Sequence, residues 1–240
     1  MDTEAQHTER DRSSPPSDSG DVPHVAEASE ETEERSRSVF AFLTDWLPGG
    51  GWTLTFLLCM GFLLVISTFV VQPFQIPSGS MEPAFRSGDR VLVNKLAYRF
   101  GSGPQRGDAV VFDGSGYFGD ADYIKRVVGT GGDRVVCCDK RGRIKVNGEP
   151  VDEPYLYPGN PPSKVPFDVV VPEDSLFLLG DHRSDSRDSR DHLGEPGGGM
   201  IPVDEVIGRA DWIAWPVGHW TSLKRPDGYA RVPGPGGAHG

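Results

Sequence analysis

The chain has 240 residues, enough for one large domain or two small ones, and carries 35 acidic against 24 basic side chains. The acidic excess lies at the start: residues 1–51 hold 12 Asp and Glu against 4 Arg and Lys, leaving 23 acids and 20 bases beyond. That near balance gives no basic footprint for nucleic acid, which is set aside as a partner.

In chain order, residues 1–38 are rich in Glu, Ser, Thr and Pro and poor in aromatics. Such a composition cannot bury enough apolar surface to repay ordering, so a disordered acidic tail is expected. Residues 39–71 form a membrane-proximal segment and a span. Within it, residues 52–71 are uncharged, and at about 1.5 Å per residue they reach about 30 Å, the hydrocarbon thickness of a bilayer. A cleavable signal sequence would begin near the N-terminus with a basic region, whereas here some 50 residues with an acidic excess come first. One transmembrane helix is the expectation. Arg35 and Arg37 on one side balance Arg86 and Arg90 on the other, so charge alone leaves the orientation open.

Residues 72–220 contain short runs rich in Val, Ile, Phe and Tyr: DRVLVNKLAY, DAVVFD, DYIKRVVG, DRVVCCD, RIKVNGEPV, FDVVVPED and SLFLLGD. Gly, Pro, Asp and Asn punctuate them, which predicts a mostly β, antiparallel domain. KRGR between two of these runs reads as a hairpin turn, with Gly142 free to take a positive φ. Cys59 falls in the apolar run. Cys137 and Cys138 are read as two unpaired strand thiols, a vicinal disulfide being the alternative. The loops at 155–166 and 183–199 are polar or Pro- and Gly-containing, the kind of segment on which sites are built. Tryptophans crowd the closing GRADWIAWPVGHW, and residues 221–240 read as a flexible tail.

The segment IPSGSMEP at 76–83 sets two serines, Ser78 and Ser80, beside Gly79 and between prolines, a turn able to present a hydroxyl. With the preceding span and with RGDAVVF (106–112), YIKRVVG (123–129) and GDHRSDSRDSR (180–190), it resembles the bacterial type I signal peptidases. These are membrane-anchored serine proteases with a β-rich catalytic domain. The resemblance runs from about residue 72 to about residue 220.

What this implies is specific. Ser80 corresponds to the family nucleophile and Lys125 to its general base; Ser78 corresponds to the hydroxyl that joins the Ser80 backbone N–H in the oxyanion hole. Ser186 matches the serine that hydrogen-bonds and orients the lysine. Asp188 and Arg190 match a structural ion pair, with Arg126 as a third member. Phe74, Ile76 and Pro77 correspond to residues lining shallow pockets for small side chains at positions one and three before the cut. The partners implied are the signal peptides of secretory preproteins and the lipid bilayer, with the N-terminus cytosolic and the catalytic domain on the outer face of the plasma membrane. The sequence leaves the oligomeric state open.

An ordinary lysine titrates near 10.4 and is charged at neutral pH. A base at Lys125 therefore requires burial, and lowering its pKa by about 2 to 3 units costs about 3 to 4 kcal/mol. The chain departs from the family at His182, where Asn is usual, and at Thr130 and Gly131, where Leu-Pro is usual. His182 and His192 lie among aspartates, the raw material of a serine–histidine triad, but no flanking pattern marks either as a base. A tethered binding module without turnover is the reading from another class. The 129–133 turn lacks the lysine and hydroxyl of a phosphate loop, and the aspartates of 181–191 lack calcium-loop spacing. No metal or organic cofactor is expected.

Overall fold

The computed structural model describes residues 51–236. The expected tail at 1–38, and the part of the membrane-proximal segment before residue 51, lie outside the described residues. Helix α1 (Gly51–Phe69) has no charged residue and no buried one. It is long and apolar enough to cross a membrane. It stops two residues short of the predicted end, because Val71 opens strand β1 (Val71–Gln75). Pro73, which lacks an N–H, is compatible with this strand because β1 ends the sheet and has a neighbour on one side only.

The remaining strands are β2 (Arg90–Asn94), β3 (Ala109–Asp113), β4 (Asp122–Thr130), β5 (Arg134–Cys137), β6 (Ile144–Val146), β7 (Glu149–Pro150), β8 (Phe167–Val170), β9 (Ser175–Leu179), β10 (Ile201–Pro202), β11 (Val206–Trp215) and β12 (Thr221–Ser222). They form a large sheet in the order β1-β2-β11-β3-β4-β9-β10, with β12 on β11, and a small sheet in the order β7-β6-β5-β8. Every pairing is antiparallel. The mostly β, antiparallel reading therefore holds, and each of the seven quoted runs contains a strand. The β5–β6 turn contains Gly142 at φ 79°.

Alternation of side chains sorts the core by face. Ala109 and Val111 of β3 pack with Ile124 of β4, Val91 and Val93 of β2, and Ile76, Met81 and Phe85 of the β1–β2 connection. On the other face Val110 and Phe112 pack with Val127, Leu176 and Leu178. The small sheet lays Val135, Ile144, Val146 and Phe167 against Val128, Phe177 and Leu179. Residues 124–129 of β4 are consequently buried throughout. Gly129 is required where the two sheets meet, since a Cβ there would lie 2.6 Å from a Val135 methyl.

Three expectations are corrected. Cys137 and Cys138 form a disulfide with each other rather than remaining free thiols. Strand β11, the longest among the described residues, lay unrecognised in the tryptophan-rich segment; its bulges break the alternation that would have marked it. The segment after residue 220 is packed rather than loose as far as it is described: Tyr229 and Val232 are buried, and Asn147 Nδ2 donates to the Pro233 carbonyl at 3.0 Å. Its Gly and Pro content had suggested a coil, but two apolar side chains suffice to seat it.

Candidate active site

Ser80 lies in the turn between β1 and β2, and Lys125 lies near the middle of β4. Lys125 Nζ is 2.9 Å from Ser80 Oγ. The serine is 8% exposed and the lysine 3%. Strand β9 explains how a loop reaches this point: its pairing with β4 ends at Arg126↔Leu179. Lys125 is therefore the first β4 residue beyond the reach of β9, and the Ser80 turn comes up to it there.

The turn is held from both sides. The Ile76 N–H donates to the Asp89 carbonyl and the Gly88 N–H to the Ile76 carbonyl, both at 2.8 Å, closing the loop's base. Met81 and Phe85 anchor its interior in the core. From the far side the His182 N–H donates to the Ser80 carbonyl at 3.0 Å. Gly180 permits this approach, because a Cβ on it would lie 2.6 Å from the Ser80 carbonyl oxygen and collide with the Ser186 hydroxyl. Nothing in the sequence singled out this glycine among the 31 in the chain.

Burial lowers the Lys125 pKa to about 8, against the opposing pull of Asp188 and Asp181. Desolvation disfavours the ammonium form, and these carboxylates only partly compensate because each has its own cation. Arg126, on the opposite face of β4, is paired to Asp181, with Nε 2.7 Å from one carboxylate oxygen. It also donates to the Gly107 carbonyl at 2.8 Å, and its guanidinium lies 4.4 Å from the centre of the Tyr155 ring. This corrects the expectation that Arg126 joins the Asp188–Arg190 pair. Asp188 accepts from Arg190 Nε at 2.8 Å and from the Gly180 N–H at 3.0 Å. Burial pushes the Asp188 carboxyl up, but Arg190 and that N–H outweigh it and hold the group below its usual range.

The other expected residues fall as follows. Ser78 Oγ donates to Ser80 Oγ at 3.3 Å. No described residue accepts from the Ser80 N–H, which leaves that donor available. Ser186 does not hydrogen-bond Lys125: its buried hydroxyl meets no partner with hydrogen-bond geometry, although it lies close enough to Asp188 to favour the carboxylate. Ile76 is almost wholly buried, Phe74 is half-buried and Pro77 exposed. His182 stacks on Tyr157 with centroids 3.9 Å apart. His192 stacks on Phe118 and bonds Glu195. Neither ring is bonded to Ser80, so the triad has no geometry here. In the Thr130–Gly131 turn, Asp133 accepts from the Thr130 N–H and hydroxyl, closing it without the family's usual Leu-Pro. Among the described residues no cluster of His, Cys, Asp and Glu has the makings of a metal site.

A buried hydroxyl against a buried amine of lowered basicity, on an antiparallel β scaffold, has the parts an acyl-transfer hydrolase needs. The family described as "Signal peptidase, peptidase S26" matches residues 50–215. The chain is 34% identical over 218 residues to the probable signal peptidase I of Mycobacterium leprae (strain TN), covering 68% of this chain and 75% of that one. It is 37% identical over 204 residues to signal peptidase I of Mycobacterium tuberculosis, covering 65% and 69%. It is 30% identical over 192 residues to signal peptidase IB of Staphylococcus aureus, covering 73% and 94%. The chain belongs to the bacterial type I signal peptidases, serine endopeptidases of family S26.

Proposed function

We propose that the chain is a single-pass membrane enzyme that removes N-terminal signal peptides from exported preproteins, with Ser80 as nucleophile and Lys125 as general base. The observation that carries this reading is the 2.9 Å contact between a buried lysine and the serine hydroxyl. In the neutral form the Lys125 amine accepts the Ser80 proton as Oγ adds to the carbonyl before the cut. The resulting ammonium gives that proton to the departing amine of the mature protein, leaving an ester on Ser80. Water, deprotonated by the same amine, then attacks the ester and regenerates the serine.

The Ser80 N–H and the Ser78 hydroxyl stabilise the oxyanion, once Ser78 turns from Ser80 Oγ toward the substrate oxygen. Phe74, Ile76 and Pro77 border the place of the small side chains before the cut, and Ser186 steadies the lysine after a rotation that brings its unsatisfied hydroxyl to Nζ. The organisation that fits is a cytosolic acidic tail at 1–38, a membrane-proximal segment and span at 39–71, and an extracytoplasmic catalytic domain from residue 72. Trp212, Trp215 and Trp220 are each about half exposed or more, and amphipathic rings of this kind favour a bilayer interface.

The deciding experiment is preprotein cleavage by wild type, Ser80→Ala and Lys125→Ala in parallel, with the N-terminus of the product sequenced and the ester trapped by rapid acid quench. Loss of cleavage in both variants supports the dyad. Cleavage retained in Lys125→Ala overturns it.

A further inference from the structure

We propose that residues 225–233, which lie beyond the part of the chain matched by the family, form a strap that positions the Ser80–Lys125 pair by way of Arg126, with Tyr229 as its anchoring residue. The inference rests on the reading of Ser80 and Lys125 given above, and adds to it a segment that acts through Arg126.

The strap closes directly over the support of Arg126. Gly107, whose carbonyl accepts from Arg126 Nη1, has φ 89°. A Cβ there would lie 2.8 Å from Arg225 Cγ, 3.1 Å from a Tyr229 ring carbon and 3.2 Å from Pro226 Cδ. Arg225 Nε donates to Asp108 at 2.9 Å, fastening one end. The Pro233 carbonyl, accepting from Asn147, fastens the other. Between them Tyr229 and Val232 join the core that includes Val128 and Leu179, the residue two beyond Arg126 on β4 and the one paired with Arg126 across the sheet.

From Tyr229 the contacts run inward without a break. Its hydroxyl is 2.9 Å from that of Tyr155, which donates to Glu153 at 2.7 Å. The Tyr155 ring faces Arg126, and Arg126 pairs with Asp181, the residue before the His182 N–H that holds the Ser80 carbonyl. A second route starts at Glu153. Its buried partner Arg183 donates from Nε to the Gly180 carbonyl at 2.9 Å, and Gly180 lies against Ser80. Both routes end on the 180–182 turn.

A cavity of about 440 Å³ is bordered by Phe85, Arg126, Tyr155, Arg225 and Pro226, so the strap forms part of its wall. Without residues 225–233 that wall is lost and more of Arg126 meets water. Buried ion pairs are strong only while water is kept out. Loosening Arg126 leaves Asp181 less neutralised, and Asp181 acts on the Lys125 charge through space, as do Asp188, Asp191 and Arg190. The amine then holds its proton to higher pH, and the Ser80 carbonyl loses part of its support.

The test uses the full-length enzyme in detergent with a preprotein substrate: wild type, Tyr229→Phe, a chain ending after Lys224, and the solvent-facing strap variant Arg231→Ala. Removing the Tyr229 hydroxyl is expected to lower kcat about fivefold with KM unchanged, the scale of one buried hydrogen bond. The alkaline limb of the rate profile moves to higher pH, and ending the chain after Lys224 moves it further. Arg231→Ala matches wild type. Tyr229→Phe preserves the ring's packing, so the inference remains testable if the shortened chain fails to fold. If Tyr229→Phe melts lower but keeps the wild-type kcat and limb, the strap is scaffolding and the proposal is wrong. Retained cleavage by Lys125→Ala in the same assay overturns the dyad and the strap with it; an unmoved limb beside an inactive Lys125→Ala overturns the strap alone.

Discussion

Lys125 Nζ and Ser80 Oγ meet at 2.9 Å across 45 residues of sequence, with the lysine on a central strand and the serine on a turn. Folding the chain thus confines an amine where its charge is disfavoured. The Lys125 pKa of about 8, against an ordinary value of 10.5, makes that confinement costly. The penalty is about 3 kcal/mol at roughly 1.36 per pKa unit. It is present in full below pH 8, where both folded and unfolded chains are protonated, and fades as pH rises toward 10.5, because the folded state gives up its proton first.

Lys125→Met is therefore expected to abolish cleavage while raising stability at pH 6 to 7, by up to about 3 kcal/mol. Thermal melts at pH 6 and pH 10 check this: the gain over wild type shrinks at the higher pH. In the wild type the initial rate on a preprotein rises through pH 8 and levels above it. A rate that is flat from pH 6 to pH 10 would speak against the lysine as base.

Ser78→Ala removes the proposed oxyanion donor and leaves the Ser80–Lys125 contact in place. Loss of a single such donor lowers kcat by about 10² to 10³. Because Ser78 is exposed, the melting temperature should stay at the wild-type value. Steady-state kinetics beside a melt separates this outcome from misfolding.

Gly180→Ala places a methyl 2.6 Å from the Ser80 carbonyl oxygen and against the Ser186 hydroxyl. Backbone rather than a flexible side chain must yield, so the substitution is expected to destabilise by about 1 to 3 kcal/mol. Cleavage should fall well beyond the share of enzyme unfolded, since a displacement of about 1 Å at a nucleophile costs about 10² in rate. Activity per folded molecule, with the folded fraction taken from circular dichroism, is the measurement.

Trp212, Trp215 and Trp220, replaced together by Ser, should leave cleavage of a short soluble peptide in detergent unchanged. Processing of a preprotein held in vesicles should fall about tenfold, as expected if these rings sit at the lipid interface. Equal losses in both assays would place the tryptophans in folding instead.

The strands flanking the site were legible because β2, β3, β4 and β9 are short runs of β-branched and aromatic residues cut off by turn formers. Strand β11 was not, since its bulges put small, charged and aromatic residues out of period. The partners of Arg126 were equally hidden. GDHRSDSRDSR offers three aspartates within eleven residues, and only the path of the loop selects Asp181 for Arg126 and Asp188 for Arg190.

What the amino-acid order fixed by itself was local: an uncharged run of membrane length, β-forming segments, and a glycine–proline turn bearing two serines. Such features depend on neighbouring residues and survive in any fold. The basicity of Lys125, the need for glycine at 180 and the docking of residues 225–233 were decided by the tertiary structure. Each depends on what a chain distant in sequence excludes, whether water, volume or an alternative partner, and exclusion exists only once the layers are packed.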